Sequence, residues 1–269
     1  MDQSWVIAIL VGVLQGVFEW LPISSEGNIT IVLTALGQQP TQAVAYSLFL
    51  HAGTALSATL YYRSELTTLL AELPTWRPQS AFRETPTLSF LAVATAASGI
   101  VGMTAYLVLE QVVSALTGGA VIILIGVLLV LTGVIQRFAT GVNFGTRNAA
   151  SLGDALLVGS LQGLAILPGI SRSGITTSAL LFRGHDGPAA FRLSFLLSIP
   201  AALGGSLLAV FDGGFAGMSL ATAVIALVTA AGVGYVTIDL LMRVVRRVSF
   251  WAICLGLGSL AIVGGLLVV

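Results

Sequence analysis

One stretch of this chain occurs twice, and this repetition constrains the fold more than any other feature. Residues 8–27 read AILVGVLQGVFEWLPISSEG, and residues 155–174 read ALLVGSLQGLAILPGISRSG. Aligned without a gap, the two copies are identical at ten of twenty positions. The first copy carries Glu19 and Glu26, whereas the second carries Arg172. We therefore predict two related halves that bring an acidic segment and a basic segment together.

The composition places both segments in a membrane. Hydrophobic residues make up 57% of the chain and charged residues only 8%, whereas about a quarter of the residues in soluble domains are charged. The mean hydropathy is +1.02. A net charge of zero gives no reason to expect a nucleic-acid partner. The single cysteine, Cys254, excludes an internal disulfide. We conclude that the chain is an integral membrane protein surrounded by lipid.

Each copy of the repeat is interrupted in its middle. The first is broken at residues 22–28 and the second at Pro168-Gly169. The arms on either side are roughly 15 residues, or about 22 Å as helix, which is short of the ~30 Å hydrocarbon core. This pattern predicts a re-entrant hairpin whose tip lies near the midplane, where irregular backbone needs surrounding protein or a wet cavity. The alternative is a full span followed by a helix in the membrane interface.

Six longer apolar stretches complete the pattern, and charge decides their orientation. The predicted spans are residues 43–62, 87–109, 118–137, 188–210, 219–242 and 249–269. The arginine-bearing links are residues 63–86, 137–147, 183–192 and 243–247, and the links 110–118 and 211–218 carry no basic residue. Because basic residues favour cytoplasmic loops, two hairpins and six spans place every arginine-bearing link on the cytoplasmic side.

The predicted fold is an all-α polytopic membrane protein that forms one membrane domain over residues 1–269. Repeat one covers residues 1–138 and repeat two residues 150–269, each with a re-entrant helical hairpin followed by three transmembrane helices. The first hairpin opens outward and the second inward, so the repeats have inverted topology and their broken helices meet near the midplane. We expect a multi-pass protein of the cell membrane.

The two hairpin tips have the chemistry of an anion site. Each break precedes a new helix, and a helix N-terminus offers free N–H donors and a partial positive charge. Arg172 adds a bidentate fork for a phosphate or carboxylate. The other candidate binding residues at the tips supply hydroxyl, amide or backbone groups, and they are Ser24, Ser25, Gly27, Asn28, Gly169, Ser171, Ser173 and Gly174.

The first copy supplies the acidic side of the candidate site. Gln15 and Glu19 are four residues apart and share one helix face, where Mg²⁺ or Ca²⁺ can bridge them to a diphosphate. An ionisable group within a span costs about 2.5–3.5 kcal/mol, which favours a function for Glu19 and Arg172 over a purely structural ion pair. Glu26 is open to three roles, as a ligand, a base or a solvated group. His51 reaches the outward cavity or is a packed, hydrogen-bonded histidine.

The segments around these residues resemble the signature motifs of the undecaprenyl-diphosphate phosphatase family, also called bacitracin-resistance proteins. The resemblance is carried by Gln15-xxx-Glu19, by LPISSEG at residues 21–27 and by LPGISRSG at residues 167–174. It extends over nearly the whole chain. It implies an integral membrane phosphatase that removes one phosphate from a polyprenyl diphosphate and so recycles the lipid carrier of cell-wall or glycan synthesis.

The resemblance also implies roles for particular residues. The (Glu/Gln)-xxx-Glu motif of the family falls on Gln15 and Glu19, its loop serine on Ser25 and its arginine on Arg172, with Ser171 and Thr176 nearby. Family members need a divalent cation and act on the outer side of the membrane. The expected partner is the polyprenyl diphosphate lipid, and a homodimer is left open.

One position departs from the family pattern. Asn28 stands where the family has histidine, and asparagine is neither a nucleophile nor a proton shuttle at neutral pH. Three alternatives follow. In the first, the histidine is dispensable in this protein, and Ser25 or a Glu19-activated water is the nucleophile. In the second, Glu26 or His51 replaces its proton chemistry. The third alternative is a polyprenyl-phosphate flippase that binds the lipid head group and does not hydrolyse it.

Overall fold

The computed structural model describes residues 4–141, 145–147, 149–213, 219–245 and 248–268. Two parts of the predicted charge pattern, residues 214–218 and the pair Arg246 and Arg247, lie outside these ranges. Across the described residues the chain forms twelve α-helices and no named strand, and the one isolated β-bridge joins Arg147 to His185. This confirms the predicted all-α class.

The two halves share an order of two short helices followed by three longer ones, and the first half has two further short helices and a 3₁₀ turn in addition. The first half contains α1 (Ser4–Phe18), α2 (Ser25–Ala35), α3 (Pro40–Tyr61), α4 (Arg63–Ala71), α5 (Ala81–Glu84), α6 (Pro86–Ala115) and α7 (Gly118–Ala139), with a 3₁₀ turn at Leu73–Thr75. The second half contains α8 (Leu152–Leu164), α9 (Arg172–Phe182), α10 (Gly187–Gly213), α11 (Leu220–Val245) and α12 (Phe250–Leu266). Each half thus begins with two short helices joined by an irregular turn, and we call α1–α2 the first hairpin and α8–α9 the second hairpin.

Five helices of the described chain are long and apolar enough to cross a membrane, namely α3, α6, α7, α10 and α11. Together they make this a multi-pass membrane protein. The predicted last span is represented by α12, which has 17 residues, or about 26 Å of helix. Two predicted links differ from the structure. Glu110 lies within α6 because Glu and Gln are good helix formers, and residues 63–86 hold three short helical turns.

The two halves interlock through their first helices. Helix α1 packs mainly on α11, α8 packs mainly on α6, and the pairs α3–α10 and α7–α12 join the halves as well. A Cβ built on Gly12 would lie 2.8 Å from the carbonyl oxygen of Ala226, and one on Gly159 would lie 2.4 Å from that of Ala94. These glycines therefore allow close helix packing, the role that Gly-xxx-Gly spacing favours.

Candidate active site

The first hairpin turns sharply between α1 and α2. Pro22 interrupts the helical pattern because it has no N–H to donate, and Ser24 adopts φ 60°, the one positive φ of a non-glycine residue in the described ranges. The Ser24 side chain caps α2 by accepting from the Gly27 N–H at 3.3 Å. It also accepts from the Gly169 N–H at 3.0 Å. This strained serine therefore joins the tips of the two hairpins.

The second hairpin turns at Gly169, whose φ of 107° is one that L side chains rarely adopt. Ser171 then caps α9 by accepting from the Gly174 N–H at 3.2 Å. Helix α7 supports this tip through Thr132, which donates to the Gly169 carbonyl at 3.1 Å and accepts from the Ser171 N–H at 3.2 Å. One turn on, Gln136 donates to the Pro22 carbonyl of the first tip at 2.7 Å.

Thr132 and Gln136 are residues that sequence reasoning missed. Their signal was present, because two polar side chains four apart share one face of an otherwise apolar helix. Both are buried, and a buried polar side chain needs a partner. Their partners lie on the two hairpin tips, so α7 positions both tips relative to each other.

Three glycines that were predicted to bind substrate lie close to neighbouring parts of the protein. A Cβ on Gly27 would lie 2.6 Å from the Gly169 nitrogen, and a Cβ on Gly169 would lie 2.5 Å from the Ile125 carbonyl oxygen. A Cβ on Gly174 would lie 2.4 Å from the Gln136 amide nitrogen. The absence of side chains at these positions therefore lets the two tips and α7 approach one another.

The Glu19 carboxylate lies at the centre of the converging residues. One oxygen, Oε1, forms an ion pair with Arg172 of the second hairpin. The other, Oε2, accepts hydrogen bonds from the Ser25 hydroxyl at 3.0 Å and from the Gln15 amide at 2.8 Å. The His51 Nε2 lies 3.4 Å from the same oxygen. The predicted acid and base therefore come together across the repeat, with the predicted serine on the same carboxylate.

His51 has a fixed orientation. Its Nδ1 lies 2.8 Å from the Ser47 carbonyl oxygen, which can only accept, so Nδ1 carries a proton. The other ring nitrogen then faces Glu19. His51 is half-buried, and it both contacts the backbone of its own helix and lines the pocket.

These groups line a small polar pocket of about 20 Å³, room for roughly one water molecule. It adjoins a larger cavity of about 450 Å³, and Glu26, His51 and Arg172 line both. Among the described residues, three buried polar atoms near this junction have no hydrogen-bond partner: Gln15 Oε1, Glu26 Oε1 and Arg172 Nη1. An orphaned guanidinium N–H beside a polar pocket is suited to an anionic ligand.

Two predicted binding residues have structural contacts. The Asn28 amide donates to the carbonyls of Ile23 and Ser24 at 2.7 and 2.9 Å, so it holds the backbone of the first tip. The Thr176 hydroxyl donates to the Arg172 carbonyl at 2.8 Å and lies 2.7 Å from the Ser194 hydroxyl. Gln15 contacts Glu19 without lining the pocket. The predicted polar residues that do line it are Glu19, Ser24, Ser25, Glu26, His51, Ser171, Arg172 and Ser173.

The described residues around Glu19 offer few ligands for a metal ion. No group of three or more His, Cys, Asp or Glu in the described chain is placed to hold a metal ion. Mg²⁺ commonly takes only one or two carboxylates from the protein and completes its shell with water and substrate phosphates. Among the described residues, the Gln15 amide nitrogen contacts the Glu19 carboxylate, and the buried Gln15 Oε1 has no hydrogen-bond partner.

The fold and the pocket define a class of protein. It is a multi-pass helical membrane protein in which a carboxylate, a guanidinium and a serine hydroxyl meet where two helix N-termini converge, as in an enzyme that acts on an anionic group. Comparison with known proteins then identifies the family. Residues 8–260 match the family described as Bacitracin resistance protein BacA, and the chain belongs to this family.

Similar proteins share nearly the whole length of the chain. A protein of Haloarcula marismortui named undecaprenyl-diphosphatase is 51% identical over 264 residues, covering 98% of each chain. Proteins with the same name from Methanococcoides burtonii and Methanopyrus kandleri are 40% and 39% identical, and at least 95% of each chain is covered.

Proposed function

We propose that this protein is an integral membrane phosphatase that hydrolyses an undecaprenyl-type polyprenyl diphosphate to the monophosphate. The observation that carries the proposal is the convergence of Ser25 and Arg172 on the Glu19 carboxylate, at the N-termini of α2 and α9. Family membership and the name of its relatives support the same activity. The reaction returns the lipid carrier for cell-wall or glycan synthesis.

The terminal phosphate binds where positive charge is concentrated. Arg172 presents the unpartnered Nη1, and the first turns of α2 and α9 add free N–H groups and the positive ends of two helix dipoles. Ser171 and Ser173 line the same pocket. This arrangement places positive charge around the phosphate, next to the Glu19 carboxylate that pairs with Arg172.

Ser25 is the proposed nucleophile, because its hydroxyl already donates to Glu19. The Ser25 oxygen attacks the terminal phosphorus, its proton passes to Glu19, and the bond between that phosphorus and the bridging oxygen breaks. The bridging oxygen keeps the electron pair and leaves as part of the lipid monophosphate. Water then hydrolyses the phosphoserine, which releases inorganic phosphate and restores the serine. The competing route is direct attack by a water that Glu19 activates.

A divalent cation, Mg²⁺ or Ca²⁺, fits this site as a cofactor shared between protein and substrate. Glu19 and Gln15 would hold it together with phosphate oxygens. When bound, such a cation neutralises charge on the diphosphate and polarises the phosphorus–oxygen bonds. The orphaned Gln15 Oε1 supports this assignment, because it is a buried acceptor that lacks a partner among the described residues.

The topology that we propose has two inverted repeats with re-entrant hairpins, and the site faces the extracytoplasmic side. Its support is the repeated helix order, the reciprocal packing of α1 on α11 and of α8 on α6, and the distribution of basic residues. Arg147 and Arg183, which flank the second hairpin, then lie on the cytoplasmic side.

The test is phosphate release from a long-chain polyprenyl diphosphate by the purified protein in detergent, with Mg²⁺ or Ca²⁺. We expect stoichiometric formation of the lipid monophosphate and inorganic phosphate. A flippase would bind the lipid phosphate without releasing phosphate, and that result would contradict the proposal. The names of the relatives do not favour this alternative.

A further inference from the structure

The first hairpin carries two glutamates whose surroundings differ. The Glu19 carboxylate forms an ion pair with Arg172 and accepts from the Ser25 hydroxyl. Glu26 is the second residue of α2 and is only 5% exposed. Among the described residues, no ion pair involves Glu26, and its Oε1 has no hydrogen-bond partner. Glu26 is therefore a buried carboxyl group that lacks a cation.

A carboxyl group in such a place is suited to carry a proton. Burying a charge without a partner costs far more than burying the neutral acid, and the nearby guanidinium of Arg172 is paired with Glu19. The alternative is a structural role, since an acid in the first turn of a helix interacts favourably with the helix dipole. A structural acid in a first turn commonly accepts from a backbone N–H, whereas Glu26 Oε1 has no such partner in the described ranges. The missing bond favours a chemical role.

Glu26 lies where the small polar pocket meets the larger cavity. The small pocket of about 20 Å³ has room for roughly one water molecule. A diphosphate whose terminal phosphate meets Ser25 therefore extends into the adjoining cavity of about 450 Å³. Ser25 lines only the small pocket, whereas Glu26 lines both. Glu26 thus faces the part of the substrate that follows the terminal phosphate, which begins with the bridging oxygen.

The other titratable residues at this junction are less suited to move a proton. In the part of the chain that the structure describes, Arg172 and His51 are the other titratable residues that line both cavities. A guanidinium donates hydrogen bonds and does not exchange its proton at ordinary pH. The two ring nitrogens of His51 are engaged, because Nδ1 lies 2.8 Å from the Ser47 carbonyl oxygen and Nε2 lies 3.4 Å from Glu19. Glu26 is left with an unpartnered oxygen.

We propose that Glu26 is a catalytic acid–base residue that acts in both steps of the reaction. This inference rests on the proposed function. In the first step the Ser25 oxygen attacks the terminal phosphorus, and Glu26 gives its proton to the bridging oxygen as the bond from that oxygen to phosphorus breaks. The lipid monophosphate leaves with this proton, and the Ser25 proton has passed to Glu19.

The second step restores all three side chains. The oxygen of a water molecule bonds to the phosphorus of the phosphoserine, and Glu26 takes a proton from this water. The bond from phosphorus to the Ser25 oxygen breaks, and Glu19 returns its proton to that oxygen. Glu26 and Glu19 therefore have different tasks, because Glu19 exchanges a proton with the serine and Glu26 with the leaving group and water.

The first test replaces the acid by its neutral isostere. Glu26→Gln keeps the size of the side chain and cannot transfer a proton, so kcat for phosphate release from a long-chain polyprenyl diphosphate should fall at least about 10²-fold. The midpoint of thermal unfolding should equal or exceed that of wild type, because an amide replaces an unpaired carboxyl group. Glu110→Gln is the matched control, the same exchange at an exposed residue of α6, and it should behave as wild type.

Chemical rescue separates proton transfer from a structural role. Glu26→Ala leaves space for a small acid, and added formate should raise the kcat of this variant by at least about tenfold. Formamide has nearly the same size and cannot take the place of the acid, so it should raise kcat much less. Formate should not change the kcat of wild type or of Glu110→Gln.

Three results would overturn the inference. The first is a wild-type kcat in Glu26→Gln, and the second is a loss of kcat in that variant together with a lowered midpoint of thermal unfolding. The third is a folded Glu26→Ala that regains no more activity with formate than with formamide. If Glu26→Ala does not fold, Glu26→Gln decides by its kcat and its midpoint. Failure of the proposed function is distinguishable, because the wild-type protein would then release no phosphate.

Discussion

The two hairpins are similar at their tips and differ at their bases, the open ends at which α1 and α8 begin and α2 and α9 end. At each tip a serine caps the second helix, and the tips exchange a hydrogen bond from the Gly169 N–H to Ser24. At the base of the second hairpin, Asp154 near the start of α8 forms ion pairs with Arg147 and with Arg183 at the end of α9. The equivalent positions of the first hairpin, 147 residues earlier, are Ile7 and Leu36, which form no such pair. The base of the second hairpin is therefore held together by ion pairs, and the base of the first is not.

Several hydrogen bonds and ion pairs converge on the Asp154 carboxylate. One carboxylate oxygen accepts from Arg183 at 2.6 Å, and the other accepts from Arg147 at 3.0 Å and from the Ser151 N–H at 2.9 Å. His185, which is also buried, lies 3.2 Å from that second oxygen. The base of the second hairpin is therefore held by several charged contacts to one carboxylate.

The largest expected effect breaks the contact between the two tips. Glu19→Gln removes the carboxylate that pairs with Arg172 and accepts from Ser25, so we expect kcat to fall by about 10⁴-fold. Phosphate release from a polyprenyl diphosphate measures it. The control is Glu65→Gln, which removes an ion pair with Arg192 outside the pocket. Near-normal turnover in Glu19→Gln would make the Glu19–Arg172 pair structural only.

The second effect separates two adjacent serines of the first tip. Ser25→Ala removes the proposed nucleophile, and we expect a loss of about 10³-fold in kcat. Ser24→Ala removes instead the acceptor of two backbone N–H groups, so it should reduce thermal stability more than Ser25→Ala does. A burst of phosphoenzyme in rapid-quench experiments would identify the serine directly. If Ser25→Ala keeps a tenth or more of the rate, attack by water replaces attack by serine.

Much of this arrangement could be predicted from the sequence, for identifiable reasons. Hydrophobic length and the repeat were enough to predict the all-α class and the five long spans. The ionisable residues within apolar segments pointed to Glu19 and Arg172, because few other roles offset their cost in a membrane. Thr132 and Gln136 could have been singled out as polar residues on an apolar helix. Their partners could not be predicted, because these are backbone groups more than 30 residues away.

The glycines show a further limit of sequence reasoning. A glycine that allows packing, a glycine that permits a positive φ and a glycine that leaves a cavity open have the same letter. Gly12, Gly169 and Gly204 are examples of the three, and only the neighbouring atoms distinguish them. The tip glycines were predicted to serve close approach to a ligand, and the structure shows that they also allow close approach of the tips to each other and to α7.

The third prediction concerns the ion pairs at the base of the second hairpin. Asp154→Asn leaves two arginines without their carboxylate, and we expect a loss of about 2 kcal/mol in unfolding free energy, reduced from the buried-pair value because the arginines are partly exposed. The kcat should change little, since the pocket is formed at the other end of the hairpin. Thermal unfolding in detergent measures the effect. An unchanged midpoint of thermal unfolding would show that the ion pairs of Asp154 do not stabilise the hairpin.

The contacts of Asp154 also determine how their contribution to stability depends on pH. Burial by itself raises the pKa of Asp154, but hydrogen bonds from Arg183, Ser151 and His185 outweigh burial and hold that pKa well below its usual range. The stabilisation is therefore fully present above the unfolded-state pKa of about 4 and is lost only as the pH falls towards the lowered folded value. Between pH 5 and pH 8 the Asp154→Asn difference should not change through this carboxyl.

The smallest effect concerns Asn28, the position that departs from the family pattern. Its amide donates to the carbonyls of Ile23 and Ser24, so it maintains the turn that carries Ser25. Asn28→His cannot reproduce both donations, and we expect a loss of about 1 kcal/mol in stability with no gain in kcat. Asn28→Ala is the control for the amide alone. A large gain of turnover in Asn28→His would instead show that the first tip lacks a proton-transfer group and that no group of the second tip supplies one.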